Sequence, residues 1–209
     1  VQNGYPIELD VRLLKDSEVA VFHDKSLERM TSGSGAIGEY DSTQIRRIHL
    51  LKTGQTIPLL SDVLEAVAGH VPLIIEIKNE NHKVGALEKA LRERMRSYEG
   101  KYTVVSFNPF SLKWFKENAP DVIRGQLSSD FRGENLPFYT KFLLRNLFLN
   151  FMSKPDFILY DIRCLPYWAA ARIKAGGKPV IGWTARSPEE HIHALRFCDN
   201  VIFEGYTPK

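Results

Sequence analysis

Residues 73–78 read Leu73-Ile74-Ile75-Glu76-Ile77-Lys78, an apolar, β-branched run that carries one carboxylate and ends on a lysine. Such side chains suit a pleated strand with both faces covered, the usual condition of a parallel sheet. Ile7-Glu8-Leu9-Asp10-Val11 repeats the pattern with acids at two alternating positions. Working outward, similar runs at 103–107, 123–127, 157–162, 180–183 and 201–204 bring the number of predicted strands to seven. Amphipathic segments at 60–68, 84–96, 109–118, 166–175 and 188–197 fall between them, and three open on a proline, whose missing N–H costs nothing in a first helical turn. This alternation predicts an α/β fold of parallel strands joined by helical crossovers. It fits a TIM (β/α)₈ barrel whose first strand is absent from this chain, although an open doubly wound sheet shares the pattern.

Two stretches depart from the rhythm. Residues 19–58 hold a short strand (19–22), a glycine-rich turn and charged segments, and are read as a small insertion after the second strand of the barrel, within one domain spanning 1–209. Residues 138–152 are rich in Phe and Leu but too interrupted to span a bilayer. They are read as a helix packed on the barrel, with a lid or lipid-facing surface as the alternative.

Bulk composition narrows the classes. A chain of 209 residues with 44% apolar composition can bury one sizeable core. The net charge of +3 is small and evenly spread, so charge alone does not predict nucleic-acid or membrane-surface binding, and no nucleic acid is expected as a partner. No apolar run reaches the roughly 18 residues of a transmembrane segment. Cys164 and Cys198 have neither disulfide-framework nor zinc-site spacing, which favours a reducing, cytoplasmic compartment. The opening Val1-Gln2-Asn3-Gly4 is neither a starting methionine nor a signal peptide, so secretion stays open.

The strand ends carry the chemistry. Glu8 and Asp10 alternate and so share one face of their strand, where two buried like charges require a cation or a partner. Hard divalent ions such as Mg²⁺ or Ca²⁺ prefer oxygen ligands, and Glu76 adds a third carboxylate where barrel active sites gather. Lys78, on the face of Glu76, is suited either to a phosphate oxygen or to compensating that acid. His23 ends its short strand beside Asp24 and is read as a candidate proton donor or acceptor, against a structural role. Trp183, and more weakly Ser106 and Glu204, are placed to line a pocket, Trp183 as an apolar wall for an organic leaving group. His49, His70, His82, His191 and His193 have no evident chemical neighbours and are read as surface or core. Gly33-Ser34-Gly35-Ala36-Ile37-Gly38 matches GxGxxG without the strand before and the helix after that a dinucleotide site needs, so it is read as a turn.

Taken in order, several stretches resemble the glycerophosphodiester phosphodiesterases. They are Ile7-Glu8-Leu9-Asp10-Val11, Val21-Phe22-His23-Asp24, Leu27-Glu28-Arg29, Ile57-Pro58-Leu59-Leu60, Ile75-Glu76-Ile77-Lys78, Ser106-Phe107, Gly182-Trp183-Thr184 and Asn200-Val201-Ile202-Phe203-Glu204. The resemblance covers essentially the whole chain. It implies a TIM barrel with the insertion at 19–58, one Mg²⁺ or Ca²⁺ on Glu8, Asp10 and Glu76, His23 as one of two catalytic histidines, and Lys78 against phosphate. It also implies a small-molecule glycerophosphodiester as substrate, cleaved to sn-glycerol 3-phosphate and an alcohol such as choline or ethanolamine. The family's His-Arg-Gly motif, source of its other histidine and a phosphate-binding arginine, has no match before Glu8, and residues missing upstream are the expected reason. The alternatives are a phospholipase D-like or lysophospholipid-cleaving relative, a catalytically silent binding protein, and a barrel aldolase or isomerase using a Schiff base.

Overall fold

The computed structural model describes residues 1–79 and 83–208, so His82 lies outside the described residues. Strand β1, Ile7–Leu13, turns back into the short antiparallel β2, Val19–Val21, and the chain then passes through α1 (Ser42–Ile45) and α2 (Leu60–Val67) to β3, Leu73–Ile77. Strand and helix alternate from there: α3 (Ala86–Met95), β4 (Tyr102–Ser106), α4 (Pro109–Asn118), β5 (Arg124–Ser128), then α5 (Phe138–Arg145) and α6 (Asn150–Ser153). They are followed by β6 (Phe157–Asp161), α7 (Trp168–Ala175), β7 (Val180–Ala185), α8 (Pro188–Ala194) and β8 (Asn200–Phe203). The sheet order is β2-β1-β3-β4-β5-β6-β7-β8, with every pair from β1 onward parallel. All seven expected parallel strands are present. Pro109 and Pro188 do open their helices, behind Asn108 and Ser187 as side-chain caps, whereas Pro166 lies ahead of α7.

The strands follow chain order around a curled sheet, which excludes the doubly wound alternative, whose order reverses part-way. Among the described residues β8 and β1 exchange no ladder. Instead Tyr5, just ahead of β1, packs edge-on against Phe203 of β8 with ring centroids 5.1 Å apart, and its hydroxyl donates to the Pro208 carbonyl at 3.2 Å. The ends of the sheet therefore meet side chain to side chain, in a TIM-like barrel open along one seam.

Strand alternation sorts the core into two layers. Outward-facing Leu9, Val11, Leu73, Ile75 and Ile77 pack with Leu60, Leu91, Leu112 and Phe115 of the helices. Inward-facing Val105, Leu127 and Leu159, joined by Ile74, Ile181 and Ile202, fill the barrel floor. Gly125 of β5 leaves room for that filling, since a Cβ there would lie 2.5 Å from the Phe157 ring. Residues 19–58 gather beside β1 around their own cluster, which includes Phe22, Leu27, Ile37, Ile45 and Ile57. Asp41 caps α1 reciprocally with Gln44, at 2.8 and 3.0 Å. No strand leads into Gly33 and only a 3₁₀ turn, Ile37–Glu39, follows, so the dinucleotide pattern is a turn.

The 138–152 segment meets the packed-helix expectation only in part: the Leu144 and Arg145 carbonyls accept from Ser128 and Tyr160 of the barrel strands and Leu147 joins the core, but the aromatic face of α5 is uncovered. Helix α5 has no buried residue, and Phe138 and Tyr139 are 84% and 68% exposed. Phe138 and Phe142 share a face one turn apart that points away from the barrel, while Asn146 and Leu147 just beyond the helix are buried and anchor it. No helix among the described residues is long and apolar enough to cross a membrane.

Candidate active site

Parallel strands end at one mouth of the barrel, and their inward positions there line an open cleft of about 2220 Å³. Glu8, Asp10 and Arg12 alternate along β1, and Asp10 lies in register with Glu76 on the neighbouring β3. One carboxylate oxygen from each of Glu8, Asp10 and Glu76 falls within 4.8 Å of the other two. Lys78 Nζ bridges two of them, at 2.7 Å from Glu76 Oε1 and 3.1 Å from Asp10 Oδ1.

Three carboxylates against one ammonium leave an excess of negative charge. Burial, with Asp10 and Glu76 alongside, pushes the Glu8 carboxyl up to about 8. Burial likewise raises Glu76 to about 7, with Lys78 pulling against the shift and Asp10 adding to it. Burial alone would lower the Lys78 ammonium, but Glu76 and Asp10 outweigh it and hold the group above its ordinary value. An all-oxygen donor set, closely spaced and short of positive charge, fits a hard divalent cation.

His23 stands on the loop directly after β2 and is largely exposed. Its Nδ1 lies 2.7 Å from Asp24 Oδ1, and Arg29 donates twice to the same carboxylate, at 2.6 and 2.8 Å. The Arg29 guanidinium, helped by His23, holds Asp24 down at about 2 against some opposition from burial. With Nδ1 turned to Asp24, Nε2 is the ring nitrogen left for other chemistry.

Arg12 was missing from the sequence reading although it continues the alternating row of Glu8 and Asp10. It is buried, and its Nε donates to the His23 carbonyl at 2.9 Å. Its Nη1 reaches the Lys78 carbonyl at 3.5 Å, so one guanidinium ties the histidine loop to the carboxylate strands. The signal was the period of two carried one step further.

The other candidates divide. Trp183 lines the cleft edge-on to Phe107, centroids 5.5 Å apart, and its buried Nε1 has no hydrogen-bond partner among the described residues. Ser106 reaches the cleft rim, but its hydroxyl donates to the Ile77 carbonyl at 2.8 Å and accepts the Asn108 N–H at 3.1 Å, so it braces the strand end. Glu204 is exposed, pairs with Arg186 at 3.2 Å and adds to the field on Glu8. His49, His70 and His193 are exposed, whereas His191 borders the cleft with Nδ1 2.8 Å from the Tyr206 hydroxyl.

Residues 4–202 match the glycerophosphoryl diester phosphodiesterase family. The chain belongs to that family. Among curated relatives, a glycerophosphodiester phosphodiesterase of Bacillus altitudinis is 34% identical over 134 residues, which are 59% of this chain and 55% of that protein. The human glycerophosphodiester phosphodiesterase 1 is 24% identical, covering 94% of this chain and 69% of its own length. The chain thus spans about half the length of the first curated relatives it matches. The fold is also that of an Oleispira antarctica phosphodiesterase solved with its product sn-glycerol 3-phosphate, at TM-score 0.78 and 22% identity over 97% of this chain and 82% of that one. A Thermotoga maritima glycerophosphodiester phosphodiesterase superposes at TM-score 0.69 and 24% identity, covering 94% of this chain and 80% of that one.

Proposed function

We propose that this chain is a metal-dependent glycerophosphodiester phosphodiesterase, releasing sn-glycerol 3-phosphate and an alcohol such as choline or ethanolamine. The observation that carries the reading is the convergence of Glu8, Asp10 and Glu76 around Lys78 in the cleft that His23 also borders. Family membership and the product bound by the Oleispira enzyme support the same substrate class. Residues 1–209 are taken as one phosphodiesterase domain, with 19–58 as the insertion that brings in His23. Two free cysteines, Cys164 and Cys198, support the cytoplasm as its compartment.

Glu8, Asp10 and Glu76 would hold one Mg²⁺ or Ca²⁺. When bound, that ion supplies positive charge to phosphate oxygens on which negative charge builds during cleavage. Lys78 presents a second positive group to the same phosphate. As an attacking oxygen bonds to phosphorus, its proton passing to the second acid/base group, and the bond from phosphorus to the alcohol breaks, His23 delivers a proton from Nε2 to the departing oxygen, with Asp24 holding the ring. Trp183 and Phe107 form an apolar wall for the organic part of the substrate. No His-Arg-Gly triplet occurs in the sequence, so this chain is assigned the cation, the phosphate contact and one of the two acid/base groups.

The test is release of sn-glycerol 3-phosphate from glycerophosphocholine. Release that a chelator stops and Mg²⁺ or Ca²⁺ restores is expected. Release without any divalent cation overturns the metal-dependent reading. Cleavage of lysophosphatidylcholine with glycerophosphocholine left intact overturns the substrate class.

A further inference from the structure

Helices α5 and α6 and the start of α7 form a surface that the barrel does not use. Phe138, Tyr139 and Phe151 are 84%, 68% and 76% exposed, and Phe142, Phe148 and Trp168 are partly exposed, at 50%, 37% and 49%. Ring contacts make part of this a continuous strip, from Phe142 to Phe148 at 5.7 Å and from Phe148 to Trp168 at 6.2 Å. Exposed aromatics in one patch, rather than scattered singly, mark a surface that meets an apolar phase.

The charge on the strip's own elements is basic, although Lys174 of α7 is paired with Asp199 at 2.9 Å. Residues 138–154 contain Lys141, Arg145 and Lys154 and no acid, and α7 contains Arg172 and Lys174 and no acid. Arg145 lies over the Tyr167 ring at 4.6 Å and Arg172 over the Trp168 ring at 5.8 Å, so the cations sit at the margin of the aromatic strip. The chain's small overall charge concealed this local excess.

We infer that this surface docks on an anionic lipid bilayer, its aromatic side chains entering the headgroup region and its basic residues meeting lipid phosphates. Aromatic and leucine residues beside lysine and arginine on a short helix are the composition of an interfacial segment. At eight residues α5 is about 12 Å long, suited to lying on a bilayer and far too short to cross it. A second copy of the chain fits less well, because a two-fold contact would set the same cations against each other. Leu144 and Leu149 of this segment also line the cleft, so docking holds the cleft mouth beside the headgroups.

The experiment is co-sedimentation of the chain with phosphatidylcholine vesicles, with and without phosphatidylglycerol. Binding is expected to the vesicles that contain phosphatidylglycerol, weakening as salt is added. The triple variant Phe138→Ser/Phe142→Ser/Phe151→Ser, which alters only exposed positions, is expected to lose binding by more than about tenfold with an unchanged thermal melt. Lys141→Glu is expected to reduce the preference for phosphatidylglycerol. A wild-type chain left in the supernatant overturns the inference, as does equal binding by the triple variant. A concentration-dependent dimer that the triple variant abolishes, without vesicle binding, assigns the strip to an interface between copies instead. Binding is read without turnover, so it fails or holds independently of the hydrolytic reading.

Discussion

The two sides of the cleft carry their charge in different ways. Glu8, Asp10 and Glu76 stand on adjacent strands, mostly buried, and the last two share one ammonium, at 3.1 and 2.7 Å. His23 and Asp24 stand on the loop after β2, with the His23 side chain 63% exposed and aimed by a relay from Arg29 through Asp24. Strands fix their groups at the cost of burying them and bringing like charges together, which raises Glu8 to about 8 and Glu76 to about 7. The loop carries no such strain and depends on hydrogen bonds to hold its group. In the proposed mechanism a cage that a cation would complete faces an arm that would deliver a proton, and Arg12 joins the two through the His23 and Lys78 carbonyls.

Separating the two sides by mutation tests that contrast. His23→Ala removes the arm alone, so kcat on glycerophosphocholine should fall by about 10²–10⁴, the range for loss of general acid/base catalysis. Calorimetric cation affinity should not change; if it falls too, the arm and cage are one unit. Lys78→Met removes the sole ammonium from the cage. In metal-free buffer the variant should lose about 1–3 kcal/mol in denaturant titration, less than the full penalty of breaking a buried pair because Glu8 and Glu76 can take up protons. Saturating Mg²⁺ or Ca²⁺ should recover most of that loss, and an equal deficit with and without the ion would show that Lys78 does not stand in for a cation.

The smallest expected effect is on the arm. Asp24 is held at about 2 against an ordinary 3.8, so the folded chain binds this proton less readily than the unfolded one. Its contribution to stability is therefore complete above 3.8 and is lost as pH falls through about 2. Arg29 is largely exposed and solvent screens the pair, so the effect is slight. A carboxyl NMR titration should place Asp24 near its depressed value and return it toward 3.8 in Arg29→Ala.

What the sequence disclosed follows the same division. The barrel strands were legible because strand geometry has a period of two, and the carboxylate trio because parallel strands end together and the motifs around Glu8, Asp10 and Glu76 follow the family's order. The Asp24–Arg29 clamp on His23 was not, because it depends on the path of an irregular loop that no periodicity encodes. Helix α5 misled for a different reason: an apolar helical stripe has the same sequence pattern whether it faces a core or an interface, and only its orientation on the barrel decides. Ser106 sits at a strand end as expected, yet its hydroxyl serves the backbone, a choice that register and not residue type makes.

The central claim is that the three strand-borne carboxylates form a cation cage. Isothermal titration of Mg²⁺ and Ca²⁺ into the wild-type chain and into Glu76→Gln tests it most directly. The account predicts one site in the wild type, weakened in the variant by more than the roughly 10–100-fold that loss of an outer partner costs, with a metal-free melting temperature that is unchanged or higher. Equal affinity in the two proteins would contradict it.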